Sequence, residues 1–107
     1  MTFSALNDLF VTELLPGKLY VYVDDQYQKL TQERGQAGLI LLGQENVICR
    51  LNPHDVFMFL EGGPSVRWPL SDFYDIRVLT ADGMLGWVCL FNDRRCRNLG
   101  DYTSPDL

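Results

Sequence analysis

The chain has 107 residues, of which 47% are hydrophobic and 21% charged; these values exclude a disordered or fibrous polypeptide and fit a single domain with one core. A domain near this length buries roughly 65% of the surface its unfolded chain exposes, enough to fold alone. Fourteen acidic against nine basic residues give a net charge of -5, so the molecule as a whole repels a phosphate backbone, which disfavours a generic nucleic-acid binder.

The opening segment places Leu6, Leu9, Phe10, Glu13 and Leu14 at helical spacing behind Ser4 as N-cap, and Pro16-Gly17 ends it. A short amphipathic N-terminal helix is expected. Next, Lys18-Leu-Tyr-Val-Tyr-Val23 alternates with the two-residue period of a strand, which predicts Leu19, Val21 and Val23 on the core face and Tyr20 and Tyr22 outside. Asp24 to Gln36 is polar and carries Gly35, so it reads as a loop with partial pairing around Tyr27 to Leu30. Ala37 to Leu42 and Val47 to Leu51, separated by Gly43-Gln-Glu-Asn46, read as a hairpin that Asn52-Pro53 breaks. Residues 54 to 60 are a further strand candidate ending at Gly62-Gly63-Pro64, and the segment with Arg67, Trp68 and Pro69 takes no assignment.

Asp72 to Phe91 carries the strongest local signal: two β-rich runs flank Ala81-Asp82-Gly83. A two-residue turn at Asp82-Gly83 would pair Val78 with Trp87 and send the indole into the core. A three-residue turn with Gly83 left-handed would pair Ile76 with Val88, Arg77 with Trp87 and Val78 with Gly86, leaving Trp87 outside. The second register is favoured, because the resemblance given below implies that Val88 is the core residue, and because Asp75 and Arg77 need a solvent face in either case. Asn92-Asp93 turns the chain, Arg94 to Leu99 reads as a final strand or helical turn, and the last eight residues are polar enough to fray.

Short strands at close intervals argue for a mostly β fold, a small antiparallel barrel. The segment Val78-Leu-Thr-Ala-Asp-Gly-Met-Leu-Gly-Trp-Val88 resembles the penultimate hairpin of SH3-like barrels, and Pro16-Gly17-Lys18-Leu19 resembles the way such barrels begin. Short SH3-like proteins of bacteria and their phages often end in the same fashion. The resemblance implies an SH3-like barrel with Val88 in the core. The detailed match covers about a fifth of the chain, lacks the usual Pro after Gly-Trp-Val, and meets a longer Asn52 to Leu70 segment than a minimal barrel needs. The expected organisation is a helix and lead-in over 1–16, a barrel over 17–99 and a flexible tail over 100–107.

Several chemistries are set aside. Tyr22-Val-Asp-Asp25 matches the Tyr-x-Asp-Asp string of reverse transcriptases, but such a site needs a third aspartate on a far larger palm domain, so Asp24 and Asp25 read as turn residues. His54 is the only histidine and Cys89 with Cys96 lacks zinc-cluster spacing, so no metal is expected. Cys49 and Cys89 lie in apolar strands, where thiols behave as small hydrophobes, and no glycine-rich phosphate loop is present; no cofactor and no catalysis are expected. Three cysteines cannot all pair, and no basic-then-apolar leader precedes them, so reduced thiols in the cytoplasm are expected. The apolar run Val56 to Leu60 is far short of the roughly 20 residues that cross a bilayer as a helix, so a soluble protein without membrane contact is expected.

What remains is binding. An outward surface of Tyr20, Tyr22, Arg77 and Trp87, helped by Tyr27 and Trp68, suits a protein-interaction module. The basic cluster Arg94, Arg95 and Arg97 suits a nucleic-acid contact as the alternative, or a solvated edge that discourages strand addition. Self-association through Val56 to Leu60 or the N-terminal helix is a third reading.

Overall fold

The computed structural model describes residues 8–35, 47–66 and 72–101. Over these residues the chain forms eight strands: β1 (Asp8–Phe10), β2 (Leu19–Tyr22), β3 (Gln28–Thr31), β4 (Val47–Leu51), β5 (Val56–Pro64), β6 (Phe73–Thr80), β7 (Leu85–Phe91) and β8 (Arg95–Asn98). They make one antiparallel sheet in the order β1-β8-β2-β5-β6-β7-β3-β4. No helix among the described residues is long and apolar enough to cross a membrane.

The N-terminal helix is corrected over its described part. Asp8–Phe10 pairs with β8, and only a 3-10 turn, Val11–Glu13, follows. Of the residues that helical spacing selected, Leu14 is buried and Leu9 packs against the core, but Phe10 is exposed, and Val11, which it passed over, is fully buried. Sheet pairing outcompetes the helix here: the Val11 amide donates to the Arg94 carbonyl, and Arg97 pairs with Asp8 across β1 and β8. Ser4 and Leu6 lie outside the described residues, as do Ala37 to Leu42 of the expected second hairpin. Its other arm, β4, pairs with β3, the partial pairing expected near Tyr27 to Leu30.

One core gathers the inner faces of most strands: Tyr20 and Tyr22 of β2, Leu30, Leu51, Phe57 and Phe59 of β5, Ile76 and Val78 of β6, Val88 and Leu90 of β7, and Cys96 of β8. The parity expected for β2 fails for the tyrosines and for Leu19. Tyr20 and Tyr22 point into the core and are almost fully buried, while Leu19 is exposed; Val21 is buried as expected, but outside the cluster that holds the two rings. The rings bury more apolar area than Leu or Val would, and their hydroxyls find acceptors and donors at the core margin. The Leu15 amide donates to the Tyr20 hydroxyl at 2.9 Å; the Tyr22 hydroxyl donates to the Gln26 carbonyl at 2.6 Å and accepts from Gln28 Nε2 at 3.1 Å.

Strand β5 also runs further than its glycines suggested. A register shift between Phe59 and Glu61 lets Gly62, Gly63 and Pro64 pair with Ile76, Asp75 and Tyr74. Gly62 fits because a Cβ there would lie 3.1 Å from the Asp75 carbonyl and 3.0 Å from the Tyr74 ring. The β6–β7 hairpin takes the three-residue turn. Gly83 has φ 88°, its amide donates to Thr80 O, and the Thr80 amide donates to Met84 O. Ile76 then faces Val88, Arg77 faces Trp87 and Val78 faces Gly86.

Candidate functional site

This register decides what the outer face of the sheet presents. With Ile76, Val78, Val88 and Leu90 turned inward, Asp75, Arg77 and Leu79 of β6 and Leu85, Trp87 and Cys89 of β7 face outward. Leu79 pairs with Leu85 on one side and with Met58 on the other, and Met58 pairs with Leu19. Four aliphatic side chains thus stand in line across β2, β5, β6 and β7. Leu19, Leu79 and Leu85 remain 44%, 36% and 44% exposed. Leu99, also exposed, starts the turn just past the Tyr20–Asn98 pair at the Leu19 end. Single exposed leucines are ordinary, whereas these stand in one aligned row and form a continuous apolar strip on the outer face.

Beside this row runs a second, Glu61–Arg77–Trp87–Thr31, one residue from each of β5, β6, β7 and β3. Trp87 is half-buried, with the Arg77 guanidinium 6.0 Å and the Arg34 guanidinium 5.1 Å from its ring centre. The segment after β3 delivers Arg34. Its Nε donates to Asp75 Oδ2 at 3.0 Å, and its terminal nitrogen donates to the Pro64 carbonyl at 3.1 Å. Asp75 is 1% exposed, and the same Oδ2 also accepts the Val66 amide at 3.0 Å. The buried carboxylate is thus compensated by a cation and a backbone donor, as a buried charge must be. Gly35, with φ 83°, follows directly and lies against the Val66 side chain.

Arg77 is held differently. It approaches Glu61 Oε2 only at 3.7 Å, both side chains are well exposed, and its guanidinium makes no hydrogen bond to any described residue. An exposed pair of this kind contributes about 0–1 kcal/mol, and the Arg77–Trp87 contact about 0.5–1 kcal/mol. A buried leucine gains roughly 1.5–3 kcal/mol, so three leucines about two-fifths exposed together hold on the order of 3 kcal/mol still to be gained from a partner. The aliphatic row thus holds burial still to be gained, separate from the weak contacts that Arg77 already makes within the chain.

The thiols are poorly placed to react. Burial pushes the Cys89 thiol up to about 11, the Asp75 charge adding to it and a Ser65 hydrogen bond at 3.8 Å offsetting part. Burial raises Cys96 still further, and Cys49 is raised by burial and by Asp82 and Asp55. Cys49, Asp55 and Asp82 line a cleft of about 270 Å³ with Arg50, Asn52 and Thr80. Both carboxylates there are engaged locally: Asp55 accepts the Asn52 amide and Asp82 the Thr80 hydroxyl. Among the described residues no three His, Cys, Asp or Glu side chains could hold a metal together. His54 sits in the β4–β5 turn with φ 74°, its amide donating to Tyr22 O.

Of the surface read from the sequence, Arg77 and Trp87 come together. Tyr20 and Tyr22 do not, because their rings are in the core. Tyr27 is exposed but lies four residues from Thr31, roughly 13 Å along the strand, and carries Arg50 4.3 Å over its ring. Trp68 lies outside the described residues. The basic cluster is spread over separate contacts. Arg97 donates twice to Asp8 Oδ1, at 2.9 and 2.6 Å, and Arg94 lies 3.6 Å from Asp24 Oδ1. Arg94 also sits over Phe91, and the exposed Arg95 over Phe10. Asp24 accepts the Arg95 amide at 2.7 Å, so it anchors β8 to the turn after β2.

Sequence reasoning missed Leu19, Met58, Leu79, Leu85 and Arg34. Extending the favoured hairpin register by one pair would have placed Leu79 opposite Leu85 on the Trp87 side; Leu19 was hidden by being assigned to the core, and Arg34 by its position in a polar loop. No protein-family model, no curated protein and no solved structure matches the chain.

Proposed function

We propose that this protein is a non-enzymatic, SH3-like barrel that acts in the cytoplasm by binding another protein through the outer face of β5, β6 and β7. The three-residue turn at Gly83 and the inward Val88 support the barrel reading, since both agree with the hairpin resemblance. The observation that carries the function is the aligned aliphatic row Leu19–Met58–Leu79–Leu85 beside Trp87 and Arg77. Tryptophan and arginine are enriched among interface anchors, and here both stand next to the apolar row, inside the face it defines. Tagged protein recovered from nuclease-treated host lysate is expected to carry a protein partner. Trp87→Ala should weaken direct binding of that purified partner by 2 kcal/mol or more, the usual order for a central anchor, while the far-UV spectrum stays unchanged. Unchanged affinity in a folded variant removes Trp87 from the interface.

A second reading, contact with a single nucleic-acid strand, is favoured by the guanidinium groups of Arg94 and Arg95 lying 5.6 and 5.4 Å over the exposed rings of Phe91 and Phe10. It ranks lower because Arg94 and Arg97 already face aspartates and the net charge is -5.

A further inference from the structure

The two cations that flank Trp87 differ in what they still have to give. Arg34 is committed to Asp75 and Pro64 by hydrogen bonds of 3.0 and 3.1 Å. Arg77 lies beside Glu61 at 3.7 Å without a hydrogen bond to any described residue, in the row directly adjoining the exposed Leu79 and Leu85. A guanidinium offers five N–H donors in a fork that fits a carboxylate two-bonded.

We infer that the partner is a protein segment presenting a carboxylate flanked by aliphatic side chains: the carboxylate takes Arg77 in a two-bonded pair and the aliphatic groups cover Leu79, Leu85 and Met58. This inference rests on the protein-binding reading above and adds the chemistry of the bound segment. Glu61 marks the chemistry that Arg77 already attracts, and being 56% exposed it yields its place at little cost. A carboxylate suits the site better than a phosphate, because Glu61, Asp75 and the net charge of -5 all oppose a second negative charge on the ligand.

The test selects a random twelve-residue phage-displayed peptide library on the full chain and measures the selected peptides by fluorescence polarisation. Retained peptides are expected to place Asp or Glu within a turn of Leu, Ile or Val. Their affinity should fall at least tenfold in Arg77→Gln and rise severalfold in Glu61→Gln, which removes the competing carboxylate. Arg77→Glu should retain peptides bearing Lys or Arg instead. Peptides that depend on Leu79→Thr/Leu85→Thr or Trp87→Ala but not on Arg77→Gln leave the surface reading standing and overturn the carboxylate inference. Peptides indifferent to all three variants overturn both. No retained peptide, tighter binding of a fifteen-nucleotide thymidine strand, or a wild-type dimer dissolved by Leu79→Thr/Leu85→Thr each overturns the inference as well.

Discussion

The Tyr22 hydroxyl donates to the Gln26 carbonyl and accepts from Gln28 Nε2 at the edge of the core, so one side chain both fills volume and ties the loop after β2 to β3. Burial raises its pKa above the ordinary tyrosine value, with the Gln28 bond offsetting part, so the group stays a neutral phenol. Tyr22→Phe keeps the ring and removes the donor to the Gln26 carbonyl and the acceptor for Gln28 Nε2. The expected cost is about 0.5–1.5 kcal/mol in a denaturant titration, the usual net contribution of an intramolecular hydrogen bond. A loss below a few tenths of a kcal/mol would show that water replaces the hydroxyl. The same residue explains where sequence reading failed. Alternation identified β2 correctly, but period alone does not say which parity is inside, and aliphatic-in is the wrong guess when long rings can reach polar partners at the core margin.

At the scale of elements, the β6–β7 hairpin was the most legible part of the chain, because an Asp-Gly turn and the pairing of Arg77 with Trp87 act within a few residues. Elements fixed by distant contacts were not. β1 is a strand because β8 stands ready to pair with it, and β5 continues through Gly62-Gly63-Pro64 because β6 offers a partner for each. Gly86 shows such a long-range constraint inside a local motif. A Cβ there would lie 2.9 Å from the Thr31 carbonyl and 3.0 Å from Leu30 Cδ2, where β3 crosses close to β7. Gly86→Ala is expected to destabilise by about 1–3 kcal/mol through overpacking against backbone. Amide exchange should then quicken in β3 and β7 ahead of β1 and β8; uniform quickening would mean that the close approach is not local.

For the whole molecule, one sheet turns one face to a core led by Tyr20, Tyr22 and Phe57, and this leaves an outer face whose character the composition does not foretell. The proposed surface was half legible. Arg77 and Trp87 follow from the hairpin, whereas the aliphatic row needs four strands in register, and Arg34 needs a loop folded back onto β6. If the row exists for a partner, its leucines contribute little to the fold. The most direct measurement is a denaturant titration of Leu79→Thr/Leu85→Thr, which keeps strand propensity, alongside its affinity for the purified partner. The expected result is stability within about 0.5 kcal/mol of the parent, as for surface substitutions, with affinity reduced at least tenfold, about 1.4 kcal/mol. A stability loss of about 2 kcal/mol or more with affinity intact would assign the row to the fold and contradict the binding surface.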